Sequence, residues 1–212
     1  IRDSSVTGVQ TCALPIYTVK KLPVKWDEIN PYIQDIAQKD SKYLFLLGEA
    51  GKIDDVRIEL FAHNKAKGID NLKKYRDEII DLDGSDILGT SILFDENELD
   101  NLFSSDAGTY LCNYSYYLAL NKLIDLEVVF IHLPYVSVDH PLDELVKKVD
   151  NIINFVINNP YQIKIFPHKD ERCLSLRVEV FVHEQGYVDE FDDIDDIATH
   201  FLIYDKNNNI GT

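Results

Sequence analysis

Methionine is absent from this 212-residue chain, which runs on "NNNIGT" to its last residue just where an apolar strand is set to resume. The expectation is a piece of a longer protein, incomplete at both ends. Cysteine is scarce: Cys12, Cys112 and Cys173 are too few and too scattered for a disulfide framework, which points to a reducing compartment, with the cytoplasm as the default. Basic residues are the minority, 21 Lys and Arg against 37 Asp and Glu, giving a formal net charge of -16. A surface of that sign repels phosphate backbones, so nucleic acid is excluded as a partner and solubility is favoured. No apolar run approaches the ~20 residues of a membrane span, which excludes a membrane partner. Internal repeats and long low-complexity tracts are also absent.

The first residues carry no usable period. "VTGVQTCALPI" (6–16) is broken by Gln10 and Thr11, so it is no signal peptide. It resembles the in-frame translation of a sequencing-library adapter. Residues 1–16 are therefore expected to be non-native, and Cys12 to carry no meaning. From residue 18 strand-like and helix-like stretches alternate. "YLFLLG" (43–48), "RIELFAHN" (57–64) and "LEVVFIHLP" (126–134) suit strands. "DENELDNLF" (95–103) and "YLCNYSYYLALNKLI" (110–124) have helical spacing. "PLDELVKKVDNIINFVINN" begins with Pro in a helix's first turn and repeats Leu142, Leu145, Val149, Ile152, Ile153 and Val156 at threes and fours. Such alternation argues for a layered α/β domain with a mostly parallel sheet. "NNP" (158–160) is a natural break. After it, "DERCLSLRVEVFVHEQ" looks helical, "EFDDIDDIATH" is an acidic loop, and "FLIYDKNNNIG" is a strand entering a polar hairpin turn. Two units are expected.

Three residues combine into candidate chemistry. Ala107-Gly108 punctuates the chain before a helical stretch and leaves Cys112 in its first turn, where the helix dipole and unpaired N–H groups favour a thiolate. His132 lies at the carboxyl end of a predicted strand, the edge where α/β sheets gather ligands. Glu59 lies on a third element, after the "GEAG" turn. A thiol, an imidazole and a carboxylate from separate elements can form nucleophile, base and orienter of an acyl-transfer triad. Spacing alone leaves the ordinary readings open: a buried small thiol, a satisfied strand-end histidine and a solvated strand glutamate.

The wording around these residues resembles a known family. "AGTYLCNYSYY" followed by "FIHLPY" is similar to the Cys and His signatures of pyroglutamyl-peptidase I, a cysteine peptidase that removes amino-terminal pyroglutamate from peptides. "GEAGKIDDVRIELFAHN" is similar to that family's Gly-x-Ala-Gly turn and Glu-x-x-Ala-x-Asn strand, and "LPVKW" to its Leu-Pro-Val strand. The resemblance covers about residues 18–157. It implies a three-layer α/β/α domain over 17–159 with Cys112 as nucleophile, His132 as base and Glu59 as orienter. Substrate contacts fall near Glu49 and on Tyr110, pyroglutamyl peptides are the partners, no metal or cofactor is needed, and homo-oligomers are an expectation. The family's Ala-Arg-x-Pro-Asp-Asn segment appears here as "AKGIDN", with Lys67 in place of a planar, bidentate Arg. The family's first strand and its Phe-bearing loop have no counterpart, which implies a sheet lacking its first strand, an incomplete pocket and impaired activity.

"LSLRVEVFVHEQGYVDEFDDIDDIATHFLIYDKNNNIGT" resembles the opening of a GNAT-superfamily N-acetyltransferase. This implies a partial α+β acetyltransferase-like unit over 160–212. The glycine-rich loop that takes the acetyl-CoA pyrophosphate is not in the chain, so acetyl-CoA enters only if that domain is complete in the parent protein. Cys173 is most simply a packed thiol, and the acidic cluster from Asp189 to Asp196 a solvated loop. The alternatives to a peptidase are an acetyltransferase parent protein and a non-catalytic fragment.

Overall fold

The computed structural model describes residues 18–37, 41–90, 92, 102–159, 161–166, 169–188, 190–205 and 209–211. The adapter-like segment 1–16 with Cys12, most of the expected helix over 95–103, Pro160 of the inter-unit break and the first residue of the acidic cluster, Asp189, lie outside the described residues.

The chain opens with α1 (Trp26–Ala37), whose buried Trp26, Ile29 and Ile33 recur at threes and fours while Asp27 and Glu28 sit favourably in its first turn. Next come β1 (Tyr43–Glu49), β2 (Arg57–Glu59), β3 (Phe61–His63), β4 (Ala66–Ile69), β5 (Tyr75–Glu78), β6 (Ile87–Gly89) and β7 (Phe103–Ser104). They are followed by α2 (Leu111–Lys122), β8 (Glu127–Leu133) and α3 (Leu142–Asn158). One sheet has the order β1-β8-β2-β7, with β1 parallel to β8, β2 parallel to β7, and β2 antiparallel to β8. Two small antiparallel ribbons, β3-β6 and β4-β5, flank it.

Strand alternation builds the layers. On β8, Val128 and Phe130 join a cluster with α1 and α2, whereas Val129 and Ile131 join a second cluster with Leu145, Ile152 and Val156 of α3. Leu44 and Leu46 of β1 face the first cluster, Tyr43 and Phe45 the second. The sheet is thus covered on both faces, a mixed α/β architecture with a mainly parallel sheet. All of β8 but its last residue is buried, as expected of a strand covered on both sides.

Three expectations need correction, and the helical stretch after Asp170 is refined. "RIELFAHN" is two strands, because Leu60 switches partners: its N–H bonds Ser104 O and its carbonyl accepts from Thr90 N. The Leu-Pro-Val segment is no strand; Pro23 has no N–H to give a ladder, and the Val24 carbonyl is taken by the loop amide of Asn71. Phe103, expected to end a helix, begins β7. The helix after Asp170 changes character: α4 (Glu171–Arg177) passes into a π-helical segment, Val178–Glu184, closed by Gln185 N to Val180 O at 3.1 Å. Valines at 178, 180 and 182 crowd an α-helix there.

The remaining strands are β9 (Tyr161–Phe166), β10 (His200–Asp205) and β11 (Asn209–Gly211), an antiparallel sheet in the order β11-β10-β9. Asp170 caps α4 by accepting from Arg172 N at 3.0 Å. The acidic segment is a series of turns held by Arg177, which pairs with Glu190 and Asp195. His200 Nε2 lies 2.8 Å from the Asp195 carbonyl, and Cys173 is fully buried.

Candidate active site

The register of β8 with its neighbours assembles the site. Gly48 of β1 and Arg57 of β2 lie on either side of His132, and Glu59 is opposite Phe130. Residues 128, 130 and 132 share one face of β8, the face covered by α2. From its place diagonal to His132, Glu59 reaches across so that its Oε1 lies 2.6 Å from His132 Nδ1. An ionised carboxylate only accepts, so the proton of this bond belongs to Nδ1. Both side chains are almost completely buried, and Glu59 Oε2 has no hydrogen-bond partner among the described residues.

Cys112 enters this row from above, in the first turn of α2. The amides of Leu111, Cys112 and Asn113 lie ahead of the first intrahelical bond, Tyr114 N to Tyr110 O at 2.9 Å. Gly108, at φ +78°, turns the chain into the helix, and its N–H is held by Asp106 Oδ1 at 2.8 Å. The thiol is half-buried. It sits over Gly48: a β-carbon there would lie 2.9 Å from the sulfur. Burial pulls the His132 imidazole down, but hydrogen bonds to the Cys112 thiol and the Glu59 carboxylate outweigh it, and its pKa is pushed from 6.5 up to about 9.

The structure therefore brings Glu59, Cys112 and His132 together. Of the three expected substrate contacts, Glu49 falls on the sheet face opposite Cys112, in step with Tyr43 and Phe45 of β1, whereas Tyr110 and Lys67 lie at the start of α2. Glu49 ends β1 beside Leu133 and lines a shallow apolar groove with Leu47, Pro134, Val136 and Leu142. Tyr110 immediately precedes α2; its hydroxyl donates to Ile69 O at 2.8 Å and its ring meets Trp26 edge-on at 5.3 Å. The Lys67 ammonium pairs with Asp77 at 3.0 Å, while its backbone N–H bonds Thr109 O at 2.7 Å, just ahead of the helix.

Several residues shape the site without having been read from the sequence. Gly48 looked like a strand terminator. Asn113, next to the thiol, accepts from His63 N at 2.7 Å and donates to the carbonyls of His63 and Lys65, tying α2 to the turn between β3 and β4. Asn64 accepts from the amides of Ile80 and Asp81 and donates to the carbonyls of Asp81 and Gly84. Tyr116, one turn beyond Cys112, bonds the Glu59 carbonyl at 2.9 Å. Only the spacing of four from Cys112 to Tyr116 was a usable signal. Among the described residues no cluster of His, Cys, Asp or Glu is arranged to hold a metal ion.

No family model matches the chain. It is 27% identical over 155 residues to pyroglutamyl-peptidase 1 of Homo sapiens, covering 66% of this chain and 72% of that protein. It is 25% identical over 182 residues to pyrrolidone-carboxylate peptidase 2 of Caldanaerobacter subterraneus subsp. tengcongensis, covering 75% and 84% respectively. The chain is similar in sequence to these peptidases over most of their length. Among solved structures, pyrrolidone carboxyl peptidase from Thermus thermophilus matches with a TM-score of 0.56 and 25% identity, covering 62% of this chain and 79% of that one. The enzyme from Thermococcus litoralis, at a TM-score of 0.58 and 20% identity, shares the fold. No helix among the described residues is long and apolar enough to cross a membrane.

Proposed function

We propose that the chain is a cysteine peptidase of the pyroglutamyl-peptidase type, which hydrolyses the bond between an amino-terminal pyroglutamate and the next residue. The observation that carries this reading is the 2.6 Å contact between buried Glu59 and His132 beneath a thiol in the first turn of a helix. The likeness to the named peptidases supplies the substrate class.

Cys112 is the nucleophile. His132, its Nδ1–H held by Glu59 and its pKa raised to about 9, holds the proton of Cys112 at Nε2 as an imidazolium, and the paired thiolate attacks the pyroglutamyl carbonyl. Amides at the start of α2 receive the charge that develops on the carbonyl oxygen. The imidazolium then protonates the departing amine, leaving a thioester that water, activated by the same imidazole, hydrolyses. Each step uses the chain's own side chains and backbone amides together with water, and needs no metal or cofactor. The lactam ring is small and uncharged, so its recognition rests on backbone hydrogen bonds near Glu49 and on the face of Tyr110, with Lys67 contributing charge at the rim.

The test is hydrolysis of a pyroglutamyl aminomethylcoumarin amide, paired with labelling by a pyroglutamyl chloromethyl ketone. Release of coumarin that disappears in Cys112→Ala, with one label on Cys112, is expected. A folded chain that neither releases coumarin nor takes the label at Cys112 would refute the assignment.

For residues 160–212 a second reading is a partial acetyltransferase-like unit. It is favoured by the order of helix, acidic turn pinned by Arg177, and strand opening at His200. Acetyl-CoA would be its substrate only with a phosphate-binding loop supplied by a longer parent chain.

A further inference from the structure

Tyr116 touches parts of all three elements that carry the candidate triad. It lies on α2 one helical turn after Cys112, so the two side chains lie on the same side of the helix. It is completely buried. Its hydroxyl donates to the main-chain carbonyl of Glu59 at 2.9 Å, at the residue where β2 ends. Its ring packs on Phe130 of β8 with centroids 5.6 Å apart, and Phe130 in turn packs on the His132 ring at 4.8 Å. One side chain thus ties the helix of the thiol to the strand of the carboxylate and supports the layer beneath the imidazole.

The Glu59 carboxylate depends on that support. One oxygen binds His132, and Oε2 has no hydrogen-bond partner among the described residues to resist rotation of the carboxylate. The position of the main chain at Glu59 therefore governs where Oε1 meets Nδ1. A buried carbonyl needs a donor, and the phenol supplies one from the helix that carries the nucleophile. A hydrocarbon of the same shape would fill the space without fixing that distance.

We propose that Tyr116 is a positioning residue for the reaction of Cys112, its hydroxyl holding the Glu59 backbone so that the carboxylate keeps the His132 imidazole aligned with the thiol. The proposal rests on the peptidase reading above, but its geometry concerns the thiol, imidazole and carboxylate whatever their substrate. The charged and titratable groups placed nearest His132 by register and helix position are Cys112 and Tyr116 of α2, Glu59 and Arg57 of β2, and Glu49 at the end of β1. Burial keeps the phenol well above its ordinary range, so it remains a neutral donor throughout the working pH range.

The test is Tyr116→Phe, which keeps the ring and removes the donor. The expected result is a kcat on the pyroglutamyl amide lower by about 10-fold with KM within about twofold. The rate of Cys112 alkylation by iodoacetamide, followed against pH, should also show its upper inflection moved toward acid. A lowered Tm with kcat, KM and the alkylation profile all unchanged would reduce Tyr116 to core packing and overturn the proposal. If the wild-type chain proves inactive on pyroglutamyl amides, the substrate reading fails, and the alkylation profile alone decides: a shift in the variant supports the positioning role and an unshifted profile overturns it. Should the Phe variant fail to melt cooperatively, 3-fluorotyrosine at 116 keeps the shape and changes the donor strength. A profile insensitive to that replacement likewise overturns the proposal.

Discussion

A β-carbon added at Gly48 would lie 2.9 Å from the Cys112 sulfur and 2.9 Å from the Phe130 ring, closer than a β-carbon comes to a non-bonded atom in folded proteins. The sulfur sits at the start of a helix anchored by Asn113, and Phe130 is fixed in the core, so neither gives way easily. Gly48→Ala is expected to leave the chain folded but to displace the thiol, lowering kcat/KM on a pyroglutamyl amide by about 100-fold. Wild-type kinetics in a folded Gly48→Ala variant would mean that the thiol is positioned from elsewhere. At His132 the sign of the pH effect follows from linkage. Its folded pKa, about 9, is above the ordinary 6.5, so the protonated ring favours the folded state. That contribution is complete below pH 6.5 and is lost as pH rises toward 9. Urea denaturation of wild type and His132→Gln should therefore differ most near about pH 6 and converge by about pH 10. A gap independent of pH would contradict a favoured imidazolium.

At the scale of elements, α2 is anchored by more than its apolar face. Asn113 exchanges three hydrogen bonds with the backbone of His63 and Lys65 and is fully buried. Asn113→Ala strands buried donors and acceptors, with an expected cost of about 2–4 kcal/mol. Urea unfolding monitored by circular dichroism reads this directly; a loss within experimental error would mean that water replaces the amide. Long elements were legible because their patterns are local: β1, β8, α2 and α3 follow from apolar runs and from threes and fours. The three-residue strands were not. The break at Leu60 arises because its N–H and carbonyl go to Ser104 and Thr90, partners remote in sequence. The same logic divides the site. Cys112 was found from a helix start and His132 from a strand end, whereas Asn64, Asn113 and Tyr116 act through bonds to backbone groups 16 to 57 residues away, and no local pattern announces them. α1 and β9 were missed although their patterns are local: Pro31 inside α1 argued against a helix, and β9 is only six residues long.

Across the whole molecule, the carboxyl-terminal sheet meets the larger one at a partly buried polar contact. Tyr204 of β10 donates to Glu127 Oε1 at 2.6 Å, and Glu127 is buried at the first residue of β8. Burial and the neighbouring carboxylate hold the Tyr204 phenol far above its ordinary range, so it acts as a neutral donor to a charged acceptor. The opposite end of β8 carries His132. Four residues lie between the two, five steps of strand or about 17 Å at the usual rise. A bond at one end of a strand packed on both faces contributes to stability without adjusting side chains at the other. Tyr204→Phe is accordingly expected to cost about 1.5–3 kcal/mol in urea denaturation while leaving kcat on a pyroglutamyl amide unchanged. If kcat falls along with stability, β8 transmits the docking of the carboxyl-terminal sheet to the imidazole. The peptidase-like segment and the segment after residue 159 would then be parts of one working unit, and their junction would affect activity as well as stability.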